Sequence, residues 1–296
     1  MLGQCKLRKK HSKLENSHFI PKFIGRWIKK TSITGFLREY DNVEKRQQDI
    51  AKEYWLCGSC EDRFSVWETK FANTIFYPFV NEEQHIANYD SWLAKFSASL
   101  SWRTLTYVRE KNIETDAYNK NPEYVNAINL AENHMSKFLL GEVDNLNQYE
   151  QHIFPLEPIE SSTETSLPTN INRYFLRNMS MDIVGNDENI FVFTKIPRFV
   201  ILGCIKTREK GKLRNSRVSL SSGKIKPRDY WWPDGFANYM FEQAKKISAK
   251  YEEIPEVYHR KFDEYIRKNP DKTVDSELFK AFLHDYKRFG KKSLRP

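Results

Sequence analysis

The side chains best suited to chemistry are three cysteines and a histidine near the start of the chain. Cys57 and Cys60 form a CxxC pair in "LCGSCEDRF", and Cys5 opens "CKLR", thirteen residues before His18 in "ENSHFIPKF". A structural zinc takes about four ligands from two chain segments, commonly one CxxC knuckle from each. The second knuckle is complete here, but the first has Arg8 where its second cysteine would stand, and an arginine cannot ligate zinc. The fourth position falls to His11, to water or to nothing; in the last case the three thiols are reduced core residues. A histidine titrates near neutrality, so His18 can take a proton from water; the plainer alternative is a ring that caps backbone groups.

The other histidines (His85, His134, His152, His259 and His284) share no ligand spacing. The chain has no GxxxxGK[ST], GxGxxG or GxSxG element, so nucleotide hydrolysis and serine chemistry have no support. Cys204 lies in the apolar run "RFVILGCIK" and is expected to be a small buried side chain.

Charge gives a second indication. The net charge is +9 and is unevenly placed: residues 1–30 hold nine Lys or Arg against one acid, and residues 195–228 hold eleven against one. Residues 109–170 reverse the balance, with eleven acids against four bases. Two basic segments brought together by folding would form the footprint of a polyanion binder. Lys22, Arg26, Lys224, Lys226 and Arg228 are the candidate phosphate contacts, with Trp231 and Trp232 beside them as base-stacking residues or core anchors. Solvated basic faces are the plain alternative.

Several elements must position these groups. With 296 residues, a small module fused to a larger body is expected, divided near residue 80. Phe64, Trp67, Phe71 and Ile75 fall at helical spacing and close the module with a helix; Glu68 on it is expected to be exposed. Asp90 caps a buried helix carrying Trp92, Phe96, Leu100 and Tyr107, where Arg103 needs an internal carboxylate or a phosphate. Asn121 and Pro122 open a helix that Gly141 stops. Together these place helices over 88–141, a surface connection over 142–170, strands over 188–226 with a Gly-containing hairpin in "SRVSLSSGKIKPR", and helices over 233–290. No run of 18 apolar residues is present and no apolar stretch follows the basic N-terminus, so no membrane partner and a cytoplasmic location are expected.

In order and spacing, "CKLR", "SHFIP" and "LCGSCEDRF" resemble the HNH, or ββα-metal, nuclease family over about residues 5–76. "SHFIPKF" is also similar to a motif of a broader set of bacterial proteins, a likeness that implies no activity. The HNH resemblance implies an α+β fold: a small ββα-metal, treble-clef-like zinc module, then a mixed helical body with a small antiparallel sheet. It further implies His18 as general base, Pro21 shaping the turn, and Glu61 reaching a catalytic Mg2+ or Mn2+ from the first turn of a helix. Ser17 stands where such proteins often carry an acidic or histidine ligand; Asn42 and Asp49 lie in the interval of the middle asparagine, and Asp49 could supply the missing carboxylate. The implied activity is metal-dependent hydrolysis of DNA rather than RNA, consistent with anti-phage defence. The competing expectations are a catalytically degenerate zinc-knuckle module that binds nucleic acid or protein, and a structural staple within a homo-oligomer or a larger assembly.

Overall fold

A computed structural model of the chain describes residues 1–38, 46–82, 84–112 and 121–294. Strands β1 (Leu2–Gln4) and β2 (His11–His18) form a hairpin and lead into helix α1 (Lys22–Lys30). A short ladder of β3 (Leu37–Arg38) with β4 (Arg46–Gln47) precedes β5 (Lys52–Cys57), which returns antiparallel beside β2. The resulting sheet has the order β1-β2-β5. Helix α2 (Gly58–Phe71) starts on the CxxC itself. It runs through a π turn (Ala72–Phe76) into α3 (Tyr77–Asn81), the wide turn preceding Pro78, whose ring has no N–H for the carbonyl four residues back.

The chain continues through β6 (Ala87–Tyr89), α4 (Trp92–Asn112), α5 (Pro122–Leu140), β7 (Gln151–Pro155), α6 (Ile171–Arg177), β8 (Ser180–Gly185), β9 (Ile190–Ile196), β10 (Phe199–Lys206) and β11 (Gly223–Ile225). It closes with α7 (Phe236–Glu252), α8 (Glu256–Lys268), α9 (Pro270–Val274) and α10 (Glu277–Phe289). The architecture is therefore α+β with small antiparallel sheets. No helix among the described residues is long and apolar enough to cross a membrane.

The antiparallel sheet β7-β10-β9-β8 divides the interior. Side chains alternate across a strand, so Phe199, Ile201 and Ile205 of β10 join one apolar cluster while Val200, Leu202 and Cys204 join the other. Cys204 is thus buried as expected. The first cluster also contains Cys5, Trp55, Phe71, Phe96 and Trp102, so it runs across residue 80 and the expected boundary there does not separate two cores. Helix α4 lies at the centre, buried all round from Trp92 to Thr106 between the sheet, α2 and α5. Gly203 allows this approach: a Cβ there would meet Ser101 Oγ at 2.6 Å.

Two expectations about strands are corrected. The stretch 142–170 is not wholly a surface connection, because β7 within it is an almost fully buried edge strand paired with β10. "SRVSLSSGKIKPR" does not fold back on itself; β11 pairs instead with the distant β6. A local turn signal could not reveal that the ladder partner, Ala87–Tyr89, lies so far back in the chain.

Strand β7 also carries a stability switch. His152 is fully buried, with Nδ1 3.1 Å from Ser216 Oγ, and burial pushes its pKa down from 6.5 to about 4. The folded value lies below the unfolded one, so protonation favours unfolding; this contribution is complete above pH 6.5 and is lost as pH falls toward 4. The loss is expected to reach about 3 kcal/mol. Urea unfolding across that window should show the slope, and His152→Gln should flatten it.

Candidate functional site

The knuckle forms because the β1–β2 connection folds tightly: Cys5 N–H donates to Lys10 O at 2.9 Å, and Lys9 N–H donates back to Cys5 O at 2.7 Å. Lys9 takes the left-handed conformation this turn requires, with φ 57°. Pairing of β2 with β5 then brings the CxxC beneath Cys5. Sγ atoms stand 3.8 Å apart for Cys5 and Cys60 and 3.5 Å for Cys57 and Cys60, and all three lie within 4.8 Å. Thiolates around a tetrahedral zinc, each about 2.3 Å from the ion, sit roughly 3.8 Å apart. The three buried cysteines are thus close enough to bind a metal ion.

Two of the thiols are shifted in opposite directions. A hydrogen bond from Cys60 holds the Cys5 thiol down at about 4 against the opposing effect of burial, with help from backbone amides. The same bond and burial push Cys60 up. The Cys57 amide is one of the donors, 3.4 Å from Cys5 Sγ. Ion pairs of Lys6 with Glu110 (2.6 Å) and Lys9 with Glu132 (3.5 Å) fasten the knuckle to α4 and α5.

His11 does not join the thiols. Its antiparallel pairing with Gln4 leaves it exposed at the far end of the β1–β2 turn, and Arg8 is exposed as well. Among the described residues, no fourth Cys, His, Asp or Glu completes the group.

His18 ends β2 opposite Lys52, with 14% of its side chain exposed. Its Nε2 lies 3.1 Å from Asp49 Oδ2, and Lys52 Nζ reaches the same oxygen at 2.8 Å. Burial works against ionisation of Asp49, but the bonds from Lys52 and His18 outweigh it and hold the carboxyl well below the usual range. The His18 carbonyl accepts a 3.1 Å bond from Arg103, whose guanidinium pairs with Glu68 at 2.8 Å. Arg103 therefore has the internal partner its position demanded, and Glu68 is half-buried rather than exposed. Burial pushes the Glu68 pKa up and Arg103 opposes the shift, with the charges of Glu61 and His18 also felt there.

Glu61 lies in the first turn of α2, and the Asp49 carboxylate is bonded to His18 and Lys52; apart from the thiols, no group of three or more His, Cys, Asp or Glu forms among the described residues. Ser17 is 1% exposed and on the opposite side of the strand from His18. Its hydroxyl accepts from Leu56 N–H at 3.1 Å beside the β2 bulge, so it is spent on the backbone. Asn42 lies outside the described residues.

Asp49 also borders a groove of about 430 Å³ lined by Lys22, Arg26, Lys29, Lys30, Gly35 and Gln48. The four cations project from one face of α1, at i, i+4, i+7 and i+8. Gly25 lets this helix close on the Asp49 segment, since a Cβ would meet Ile50 Cγ2 at 2.8 Å. Arg177 braces the helix end by donating to Ile28 O at 2.9 Å and Thr31 Oγ1 at 2.5 Å.

Sequence reasoning found Lys22 and Arg26 but missed Lys29, Lys30 and Arg177. The four-and-three spacing along "KFIGRWIKK" was the available signal for the lysines; nothing local marked Arg177. Lys224, Lys226 and Arg228 do not line the groove. Arg228 donates to the carbonyls of Asn215 and Lys224, holding its own loop together. Trp232 stacks on Phe154 with centroids 4.2 Å apart, a core anchor, while Trp231 is 51% exposed.

Comparison with known proteins gave no match to any family model, curated protein or solved structure.

Proposed function

We propose that this protein is an HNH-like endonuclease that hydrolyses phosphodiester bonds in DNA with His18 as general base. The observation that carries the reading is the His18–Asp49 pair at the border of a groove lined by four cations. The Cys trio, the β2–β5 strand pair and the helix that follows support reading residues 1–80 as a treble-clef-like, ββα-metal module. Cys5, Cys57 and Cys60 would hold a zinc ion, whose role there would be structural.

In the proposed reaction Nε2–H of His18 donates to Asp49, which leaves Nδ1 to take a proton from water. Asp49 fixes the ring's tautomer, and Lys52 holds Asp49 in place. Groove cations bind and orient the diester. Asp49 or Glu61 would hold Mg2+ or Mn2+, which supplies charge neutralisation at the phosphate; Mg2+ commonly uses one or two carboxylates plus substrate oxygens.

A second reading is a non-catalytic zinc-knuckle module that binds nucleic acid. It is favoured by the Ser17 hydroxyl, which is engaged by the backbone, and by the Asp49 carboxylate, which is already bonded to His18 and Lys52. Purified protein with supercoiled plasmid and Mg2+ or Mn2+ separates the two. Nicked and linear products, abolished by a chelator, are expected; binding with no cleavage under either metal supports the second reading.

A further inference from the structure

We infer that the α1 groove is a track for the phosphates of one strand of a DNA duplex and reads no base, so binding by this protein is independent of sequence. This rests on the nucleic-acid reading of the site but not on cleavage. Three features of the groove lead to it.

The first is the lining. Apart from the four cations it contains Gly35, Gln48 and Asp49. Among the described residues no aromatic side chain lines it, so it has no platform on which an unpaired base could stack. Only Arg26 and Gln48 carry the planar fork suited to base edges; Gln48 is engaged, its carbonyl and Oε1 accepting from Lys29 Nζ at 2.6 and 3.2 Å, and Arg26 stands in the row between Lys22 and Lys30.

The second is the state of the cations. Lys29 is tethered to Gln48, whereas Lys22, Arg26 and Lys30 are exposed and no described acid pairs with them. Structural lysines of this chain do find acids, as Lys6 and Lys9 show. Three cations with no acid partner among the described residues face one concavity and repel one another, and an anion entering the groove relieves that cost.

The third is length. From Lys22 to Lys30 the helix rises about 12 Å. Along a duplex axis one strand presents a phosphate about every 3.4 Å, so this face spans about four phosphates, enough to seat each of the three cations that have no acid partner among the described residues. Asp49 stands at the border of this row and would repel a phosphate, so the track ends beside the His18–Asp49 pair. Phosphate contacts of this kind fix position and carry no sequence information.

The test is fluorescence anisotropy with short labelled DNA duplexes of unrelated sequence, in buffer without added Mg2+ or Mn2+ so that no cleavage intervenes and the zinc is kept. Three released counterions predict a log–log salt slope of about −2.7, or about a forty-fold loss of affinity between roughly 50 and 200 mM salt. The triple variant Lys22→Gln, Arg26→Gln, Lys30→Gln should lose at least about ten-fold in affinity at low salt and most of that slope. Lys224→Gln with Lys226→Gln should change neither, and circular dichroism with metal content should confirm that both variants fold.

Equal affinity and slope for the triple variant and the wild type would overturn the inference. So would a wild type that binds no duplex at low salt, or one whose affinity differs more than about ten-fold between sequences, since a single good base contact is worth about that much. A protein that binds as described but never cleaves leaves the track standing and removes only the hydrolytic reading. One that cleaves while the triple variant binds normally does the reverse.

Discussion

Cys60→Ser is expected to strip the metal from the chain and loosen its N-terminal part. The wild type should carry about one zinc per chain by elemental analysis, and the variant close to none. Cys60 is fully buried and touches both other thiols, at 3.8 and 3.5 Å, so no side chain can take its place. Zinc contributes about 10–16 kcal/mol to the folding of small zinc modules, comparable with the whole stability of an ordinary domain. Even a fraction of that should expose the β1–β2 turn and the start of α2 to proteolysis and amide exchange. If the trio is only a set of core thiols, the same change should cost about 1–2 kcal/mol and leave metal content unchanged. The two outcomes are far enough apart to be decided by one unfolding curve and one metal analysis.

Arg103→Met should be the most damaging single change outside the thiol cluster. Arg103 is 3% exposed, and its guanidinium serves Glu68, the His18 carbonyl and the Ser99 carbonyl at once. Removing it leaves a half-buried carboxylate without its counter-charge and takes a donor from the His18 carbonyl, a change worth about 3–5 kcal/mol. Glu68→Gln on the same background should recover part of the loss, because the stranded charge is gone. The sign with pH is also fixed. Burial already raises the Glu68 pKa, and it rises further without Arg103, so the folded variant binds a proton more tightly than the unfolded chain. The deficit should therefore shrink as pH falls toward 4.5 and stay constant in the double variant. Urea unfolding at several pH values measures both.

The sequence made some parts of this arrangement legible because local chemistry sets them. The Asn121 side chain accepts from Tyr124 N–H at 3.0 Å and Ser276 from Phe279 N–H at 3.1 Å, and Gly141 stops its helix in the left-handed conformation, with φ 81°. The cysteine trio followed from spacing, since a CxxC at a helix start supplies two ligands and needs others brought from elsewhere. What could not be read depends on contacts between distant segments. Glu68 looks like a solvent-facing acid until α4 brings Arg103 against it. His11 looks like a ligand until the hairpin register carries it away from the thiols. Pro233 marked a helix start, yet α7 begins at Phe236 because Gly235 takes a left-handed turn with φ 76° first. The continuous core has the same origin: aromatic residues on α2 meet α4 directly, as in the stacked Phe71–Phe96 pair with centroids 4.0 Å apart.

The central claim is that His18 activates water beside a bound phosphate, and a single-turnover measurement reaches it most directly. An end-labelled duplex, saturated with protein so that binding is complete, is mixed with Mg2+ or Mn2+ and followed for strand scission by wild type and by His18→Ala. Wild type should cut, and the variant should bind the duplex equally well and cut about 10²–10⁴-fold more slowly, the usual contribution of a general base. Equal cutting by both proteins, or none by a wild type that holds its zinc and the duplex, would contradict it.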